Sequence, residues 1–205
     1  MCMANYPIIT ISRQFGSGGR DIGRLLAKEL DIPYYDNELI AMAAEDSGFS
    51  HELFENADKN ASNSLLFSLS MYGAATGTYN MPLGDQVFII QSDIIKKVAE
   101  QGPCIIVGRC ADYTLRKNPN CFSIFLRAPL ETRIKRATEV YGLPARTARD
   151  TIVKTDKKRS VYYAHFTGEK WGNSDNYHLT VDTSRFGIEG TASFLAAIAK
   201  DIASK

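Results

Sequence analysis

Three glycines within four residues, Gly16, Gly18 and Gly19, separate an apolar run from an amphipathic helical pattern. Glycine lets the backbone take positive φ angles, so that consecutive N–H groups of a turn can point at one anion. A helix that begins directly behind the turn adds its N-terminal dipole to the same place. The alternative is a flexible strand-to-helix turn without a ligand. The density of glycines favours a phosphate-binding loop.

Charged residues follow the other predicted strands in the same way. These residues are Asp36, Arg109, Arg127 and Asp182. Because ligands collect at the carboxyl ends of parallel strands, we expect all of them at one edge of a sheet. The arginine fork binds phosphate at two points, which favours Arg109 as a phosphate ligand over an arginine paired with Asp112. Asp36 suits a second nucleotide or a metal-bound water, or else caps a helix that begins at Asn37.

A long polar helix pattern carries a second group of charges. Asp156 and Arg159 lie three residues apart, which places them on one face of a helix. Three lysines accompany them: Lys154, Lys157 and Lys158. Such a cluster is often only a solvated helix face, and that alternative stays open. Arg133 and Arg136, three residues apart on another helix pattern, are expected to be surface partners of nearby acids.

The elements that must position these residues alternate between strands and helices. The runs "PIITIS", "PCIIVG" and "CFSIFLRA" are apolar throughout, as strands covered on both faces must be. Helical patterns separate them, including 83–102 and a closing helix from Gly187 onwards. This order predicts a parallel sheet in a three-layer α/β domain. A further helix is predicted from Asn37 to about Gly48, and residues 49–83 resemble a helical excursion followed by a loop.

Composition and charge limit the class of protein. The 205 residues suffice for one compact domain, and 44% apolar with 23% charged residues is typical of globular chains. The net charge of +1 gives no reason to expect nucleic acid or a membrane as a partner. No secretion signal and no run of ~20 apolar residues stands out, which predicts a cytoplasmic location. Domains of this size work as monomers or as dimers, and both remain open.

The cysteines and histidines show no metal-binding spacing. Without a C-x-x-C pair, and with two of the cysteines in or beside apolar runs, buried free thiols are favoured over disulfides or a zinc site. The four cysteines are Cys2, Cys104, Cys110 and Cys121.

Two nucleotide-binding patterns compete for the glycine loop. A G-x-G-x-x-G fingerprint would begin at Gly16 and Gly18, with Asp36 at the ~20-residue distance of its acidic residue. Asp21 stands where its third glycine is required, so an NAD-dependent oxidoreductase is the lesser alternative. A Walker loop, G-x-x-x-x-G-K-[ST], fits the position and the helix register better.

The chain resembles the cytidylate kinase-like family. The resemblance rests on separate blocks in a fixed order: "GSGGRDIGRLLAKEL", "YYD", "IIVGRCAD", "FSIFLRAPLETRIKRA", "DKKR" and "LTVDTS". It implies a single P-loop NTPase-type domain over residues 1–205. That domain has a central parallel sheet, an acceptor-binding excursion at 49–83 and a helical lid at 145–175.

The resemblance also implies a reaction. The γ-phosphoryl group of ATP would pass to a nucleoside monophosphate such as CMP or dCMP, or to a related small acceptor, with Mg²⁺ as cofactor. Arg109 would bind the acceptor phosphate, Asp36 would belong to the acceptor site, and Asp156 with Arg159 would close the lid. The residues implied to hold the phosphates of ATP are Gly16, Ser17, Gly18, Gly19, Arg20 and Asp21.

The loop departs from the family pattern at three positions. Arg13 stands in place of the opening glycine, Gly19 in place of the lysine, and Arg20 in place of the Ser/Thr. That lysine normally reaches the β- and γ-phosphates, and the hydroxyl normally ligates magnesium. We expect Arg20 to supply the missing cation, with further contacts from Ser12, Arg13 or Ser17 as the alternative, because phosphoryl transfer depends mainly on positioning and charge neutralisation. The alternative is a non-catalytic nucleotide-binding sensor on the same fold.

Overall fold

The computed structural model describes residues 6–36 and 83–205, and they contain a five-stranded sheet. Its strands are β1 (Ile8–Arg13), β2 (Tyr34–Tyr35), β3 (Ile105–Val107), β4 (Cys121–Arg127) and β5 (Leu179–Asp182). They lie in the order β2-β3-β1-β4-β5, and each neighbouring pair is parallel. The predicted parallel sheet is therefore confirmed, and β1 lies at its centre.

Helices connect the strands. Those in the described ranges are α1 (Gly19–Leu30), α2 (Leu83–Glu100), α3 (Ala111–Thr114), α4 (Leu130–Glu139), α5 (Ala145–Thr167) and α6 (Thr183–Ala203). A short 3₁₀ helix covers Ser174–Asn176. None of the helices within 6–36 and 83–205 combines the length and apolar character needed to cross a membrane.

The core consists of two apolar layers, one on each face of the sheet. Ile8 packs in the layer beside α2, whereas its neighbour Ile9 packs in the layer beside α1 and α6. Ile106 and Ile105 of β3 divide between the layers in the same way. Each buried side chain of this size contributes roughly 1.5–3 kcal/mol. Burial on both faces explains why the strands are apolar throughout, and the predicted three-layer α/β architecture is confirmed.

The closing helix begins four residues earlier than predicted. Its first turn starts at Thr183, because the Asp182 carboxylate accepts a hydrogen bond from the Ser184 amide at 3.0 Å and caps it. Gly187, the predicted start, has a φ of 69° and a ψ of −173°, which interrupts the helix with a kink. The glycine is therefore a break within α6 and not its beginning.

Several predictions made from the sequence lie outside the described residues. They concern the helix from Asn37, the excursion at 49–82, Cys2 and the capping role of Asp36 toward that helix. The other three cysteines are buried and free, as expected: Cys104, Cys110 and Cys121.

Candidate active site

The glycine loop, residues 14–18, joins the end of β1 to the start of α1. Gly16 and Gly18 have φ angles of 79° and 83°, in the left-handed region that favours glycine. A Cβ at residue 18 would also lie 2.1 Å from Cδ1 of Ile188, so that position has no room for a side chain. Conformation and packing therefore both require glycine here.

Side chains from three other elements bind the carbonyl oxygens of this part of the chain. The bonds run from Arg159 to Arg13 O (2.9 Å), from Arg133 to Phe15 O (3.2 Å), from Arg136 to Gly16 O (3.0 Å) and from Thr183 to Ser17 O (2.7 Å). Ser17 is itself fully buried, and its hydroxyl donates to Gln14 O at 2.9 Å. These bonds fix the direction in which the carbonyl groups point.

The amide groups of the loop have a different environment. Within the described part of the chain, the amides of Gly16, Gly18 and Gly19 donate no hydrogen bond. These glycines line a cavity of about 430 Å³, which we call the loop cavity. Its other lining residues are Arg13, Gln14, Phe15, Arg20, Asp21, Arg24, Tyr141, Leu143 and Arg159. Unpaired amides in front of a helix N-terminus are suited to binding phosphate oxygens.

A buried ion pair holds the middle of the loop. Arg133 donates to Asp156 Oδ2, and Asp156 Oδ1 accepts from the amide of Phe15 at 2.7 Å. Both polar backbone groups of Phe15 are therefore bound by this pair. The predicted surface position is wrong for Arg133, which is buried, although its predicted pairing with an acid is confirmed. Arg136 is half-buried, and its Nη1 donates to Gly16 O.

The turn after β3 has an unusual backbone. Gly108, Arg109 and Cys110 have φ angles of 80°, 57° and 52°, three successive residues in the left-handed region. Two of them are not glycine, and such conformations cost roughly 1–3 kcal/mol each. Strain of this kind concentrates at functional sites. The turn carries Arg109 to the carboxyl edge of the sheet, where it lines a second cavity.

We call this second space the arginine cavity, and its volume is about 390 Å³. It is lined by Ser12, Arg13, Arg20, Gly108, Arg109, Cys110, Thr155, Lys158, Arg159, Tyr162, Tyr163 and Trp171. Five of these residues are cationic, and among the described residues none that lines it is acidic. An environment of this kind attracts a ligand with several negative charges.

Three arginines line both cavities: Arg13, Arg20 and Arg159. Asp36 lies against two of them, with Oδ1 at 3.4 Å from Arg13 Nη2 and Oδ2 at 2.6 Å from Arg20 Nε. Burial, followed by the Arg159 guanidinium, lowers the pKa of Arg13 to about 9, although Asp36 opposes the shift. Arg13 therefore keeps its positive charge at neutral pH. An anion bound beside it would stabilise that charge.

A buried polar cluster forms one wall of the arginine cavity. The Asp112 carboxylate accepts from the Ser12 hydroxyl at 3.1 Å and from the Tyr163 hydroxyl at 2.8 Å. Burial raises the pKa of Asp112, and these two hydrogen bonds oppose the shift. Asp112 thus holds two residues that line the cavity.

Magnesium would need ligands from its substrate as well as from this chain. The described residues contain no group of three His, Cys, Asp or Glu side chains suited to a metal ion. Mg²⁺ commonly uses one or two carboxylates together with waters and substrate phosphates. Asp21, which lines the loop cavity, is a carboxylate near the proposed phosphate position. The site therefore fits an ion that arrives with a polyphosphate.

The structure brings most of the predicted site residues together. Gly16, Gly18, Gly19 and Asp21 line the loop cavity, and Arg109 lines the arginine cavity. Ser17 and Asp156 support the loop, and Asp36 is buried behind Arg13 and Arg20. Sequence reasoning missed the roles of Arg133, Arg136 and Thr183. Thr183 directly follows β5, and Arg133 and Arg136 lie in the helix that follows β4. Those positions were the available signal.

Three comparisons place these features among known proteins. Residues 8–185 match the model of the cytidylate kinase-like family. The cytidylate kinase of Methanopyrus kandleri is 26% identical over 199 residues, covering 93% of this chain and 91% of the relative. A solved structure of an uncharacterized protein from Eubacterium ventriosum is 28% identical with a TM-score of 0.72, over 95% of this chain and 98% of the other. Shikimate kinase from Bacteroides thetaiotaomicron, 15% identical over 95% and 98% of the two chains, shares the fold with a TM-score of 0.55.

Proposed function

The chain belongs to the cytidylate kinase-like family, and from that premise we propose that it transfers the γ-phosphoryl group of ATP to a nucleoside monophosphate of the CMP or dCMP type. One observation carries the proposal: two cavities adjoin at the carboxyl edge of the sheet and share three arginines. Phosphoryl transfer requires a donor site and an acceptor site that meet where the phosphoryl group passes. The relative from Methanopyrus kandleri carries the name cytidylate kinase, which supports the choice of acceptor.

The loop cavity is the proposed donor site. The amides of Gly16, Gly18 and Gly19 would bind the phosphates of ATP, and Arg20 would add a positive charge. Magnesium bound to the phosphates would neutralise negative charge and orient the transferred group. Asp21 would contribute to its position from the first turn of α1.

The arginine cavity is the proposed acceptor site. Arg109 would bind the acceptor phosphate with its planar fork, and Asp36 would orient Arg13 and Arg20 around it. The acceptor phosphate is largely ionised at neutral pH, since the second pKa of a phosphate monoester is about 6. One of its oxygens can therefore attack the γ-phosphorus directly as the bond to the β-phosphate breaks. No general base is required.

Helix α5 is the proposed lid. Asp156 contacts the loop, and Arg159 lines both cavities from the next turn of the same helix. Closure of such a helix excludes water and brings a guanidinium to the negative charge of the transition state.

A coupled assay of ADP release tests the proposal, with CMP, dCMP, UMP, AMP and GMP as acceptors and ATP–Mg²⁺ as donor. We expect turnover with at least one monophosphate and the highest kcat/KM with a cytidine nucleotide. A companion binding measurement with ATP completes the assay. Binding of ATP without turnover on any acceptor would contradict the kinase proposal and identify a nucleotide-binding sensor.

A further inference from the structure

Arg13 and Gly19 fit together at the entrance of the glycine loop. A Cβ at residue 19 would lie 2.7 Å from Cβ and 2.8 Å from Cγ of Arg13, closer than Cβ atoms approach in proteins. Any side chain at position 19 would therefore displace the stem of Arg13. The glycine at position 19 makes room for the arginine at position 13.

A second glycine makes room for the other end of Arg13. A Cβ at Gly108 would lie 2.0 Å from Nη1 of Arg13, so the guanidinium passes directly over this residue. Beyond it, Nη2 approaches Asp36 at 3.4 Å. The side chain thus runs from the end of β1 across the end of the neighbouring β3. Two close approaches and one ion pair fix its direction.

Arg13 lines both cavities, and its side chain is 13% exposed. Burial and three neighbouring guanidinium groups disfavour its positive charge, and among the described residues Asp36 favours it. Phosphate oxygens beside Arg13 would reverse that imbalance. Arg20 also lines both cavities, but half of its side chain is exposed and its Nε is bound to Asp36 at 2.6 Å.

We propose that Arg13, and not Arg20, contacts the phosphoryl group in transit and supplies from the end of β1 the charge that a Walker loop supplies from a lysine at position 19. This inference rests on the proposed function. The two positions have exchanged roles: arginine replaces the opening glycine, and glycine replaces the lysine. Arg20 then positions Asp36, which in turn positions Arg13.

An exchange of the two residues tests this assignment. The proteins are the natural chain, Arg13→Gly, Gly19→Lys and the double variant that carries both changes. We expect Arg13→Gly to lower kcat by ~100-fold or more, a larger change than in the KM of the acceptor, because the charge of Arg13 is proposed to act mainly in the transition state. Gly19→Lys is also expected to lower kcat, because the lysine collides with Arg13. The double variant should recover at least ~10-fold over Arg13→Gly, since the lysine then occupies the vacated space.

A merely structural role for Arg13 predicts the opposite pattern. In that case the double variant is no more active than the worse single variant, and this result overturns the proposal. Arg13→Gln keeps most of the volume without the charge and is measured beside Arg13→Gly, so that a folding defect of the glycine variant does not decide the outcome. Arg116→Ala, an exposed arginine that contacts neither cavity, is the matched control.

Calorimetric titrations with ATP and AMP separate this inference from the proposed function. If the natural chain prefers ATP over AMP but never turns over, the kinase proposal fails. In that case, loss of the preference for ATP in Arg13→Gln would support the contact between Arg13 and the terminal phosphates. Retention of the preference would overturn the assignment of Arg13. If the natural chain does not bind ATP, both proposals are contradicted. If it turns over and Arg13→Gln matches its kcat, the kinase proposal stands and the assignment of Arg13 is wrong.

Discussion

The loop cavity and the arginine cavity adjoin, yet they are built from different parts of the chain. Among the described residues, the amides of Gly16, Gly18 and Gly19 donate no hydrogen bond, and side chains from α4 and α6 bind carbonyl groups of the glycine loop. Arg159 of α5 binds the neighbouring carbonyl of Arg13. The arginine cavity presents side chains, with five cations carried by β1, α1, α5 and the strained turn after β3. Ligand binding in the loop cavity should therefore be sensitive to added side-chain volume. Ligand binding in the arginine cavity should be sensitive to removal of a charge. This contrast can be tested by substitution on each side.

Arg159 belongs to both cavities, and its loss should have the largest effect. We expect Arg159→Ala to lower kcat by ~10³-fold, because an arginine at the transferred phosphoryl group is worth at least this much in related reactions. Steady-state kinetics with ATP and the best acceptor measures the change. Arg149→Ala on the same helix is the control, since Arg149 is exposed and pairs only loosely with Glu131 at 3.7 Å. An unchanged kcat with only one altered KM would show that Arg159 serves a single cavity.

A side chain added at Gly18 should weaken binding in the loop cavity and leave binding in the arginine cavity unchanged. Gly18→Ala places a side chain at a φ of 83° and 2.1 Å from Ile188, so the loop must shift. We expect the Kd of ATP to rise by ~30-fold, which corresponds to about 2 kcal/mol, while acceptor binding is retained. Gly84→Ala, where a new Cβ meets no atom within 4 Å, should change neither. If Gly18→Ala weakened the binding of ATP and of the acceptor equally, the assignment of the two nucleotides to separate cavities would be contradicted.

Removal of the Arg109 charge should weaken binding in the arginine cavity and leave binding in the loop cavity unchanged. A hydrogen bond to a charged group contributes about 1.5–3 kcal/mol, so Arg109→Ala should raise the KM of the acceptor by ~10- to 100-fold. The Kd of ATP should stay within twofold of the natural value. Titration calorimetry with each nucleotide measures both quantities. Loss of ATP affinity of the same size would place Arg109 on the donor side instead.

The smallest effect is expected at the buried wall of the arginine cavity. Because burial raises the pKa of Asp112, the folded state binds its proton more tightly than the unfolded state. The contribution of this group to stability is present at low pH and is lost as pH rises through the raised pKa. The stability of Asp112→Asn relative to that of the natural chain should therefore increase as the pH rises from 4 to 7.5. Urea unfolding at both pH values checks the sign, and a relative loss would contradict it.

The sequence predicted the sheet and the edge at which the candidate site residues lie, because both depend on local patterns. Continuous apolar runs indicated β1, β3 and β4, and parallel order alone brought the glycine loop and Arg109 to one edge. The contacts of Arg133 depend instead on how α4 packs against a loop 118 residues away in the chain. An arginine beside an acid on a helix is ambiguous until that packing is known.

The proposed exchange between Arg13 and Gly19 shows a different limit. The two residues are close in sequence, and both were interpreted there as departures from the Walker pattern. The steric relation between them was not, because it depends on the direction of the Arg13 side chain over Gly108. Arg20 was predicted as the substitute cation from its position in the loop, with Arg13 among the residues that could add contacts. The ion pair between Arg20 Nε and Asp36 depends on the fold and could not be read from the sequence.

We propose that the donor and acceptor sites meet at the shared arginines. The most direct test of this proposal is the affinity of a bisubstrate ligand, adenosine and cytidine joined through five phosphates, measured by calorimetry beside ATP and CMP. We expect the joined ligand to bind at least ~100-fold more tightly than ATP, because one molecule fills both cavities. A Kd no lower than that of ATP alone would contradict it.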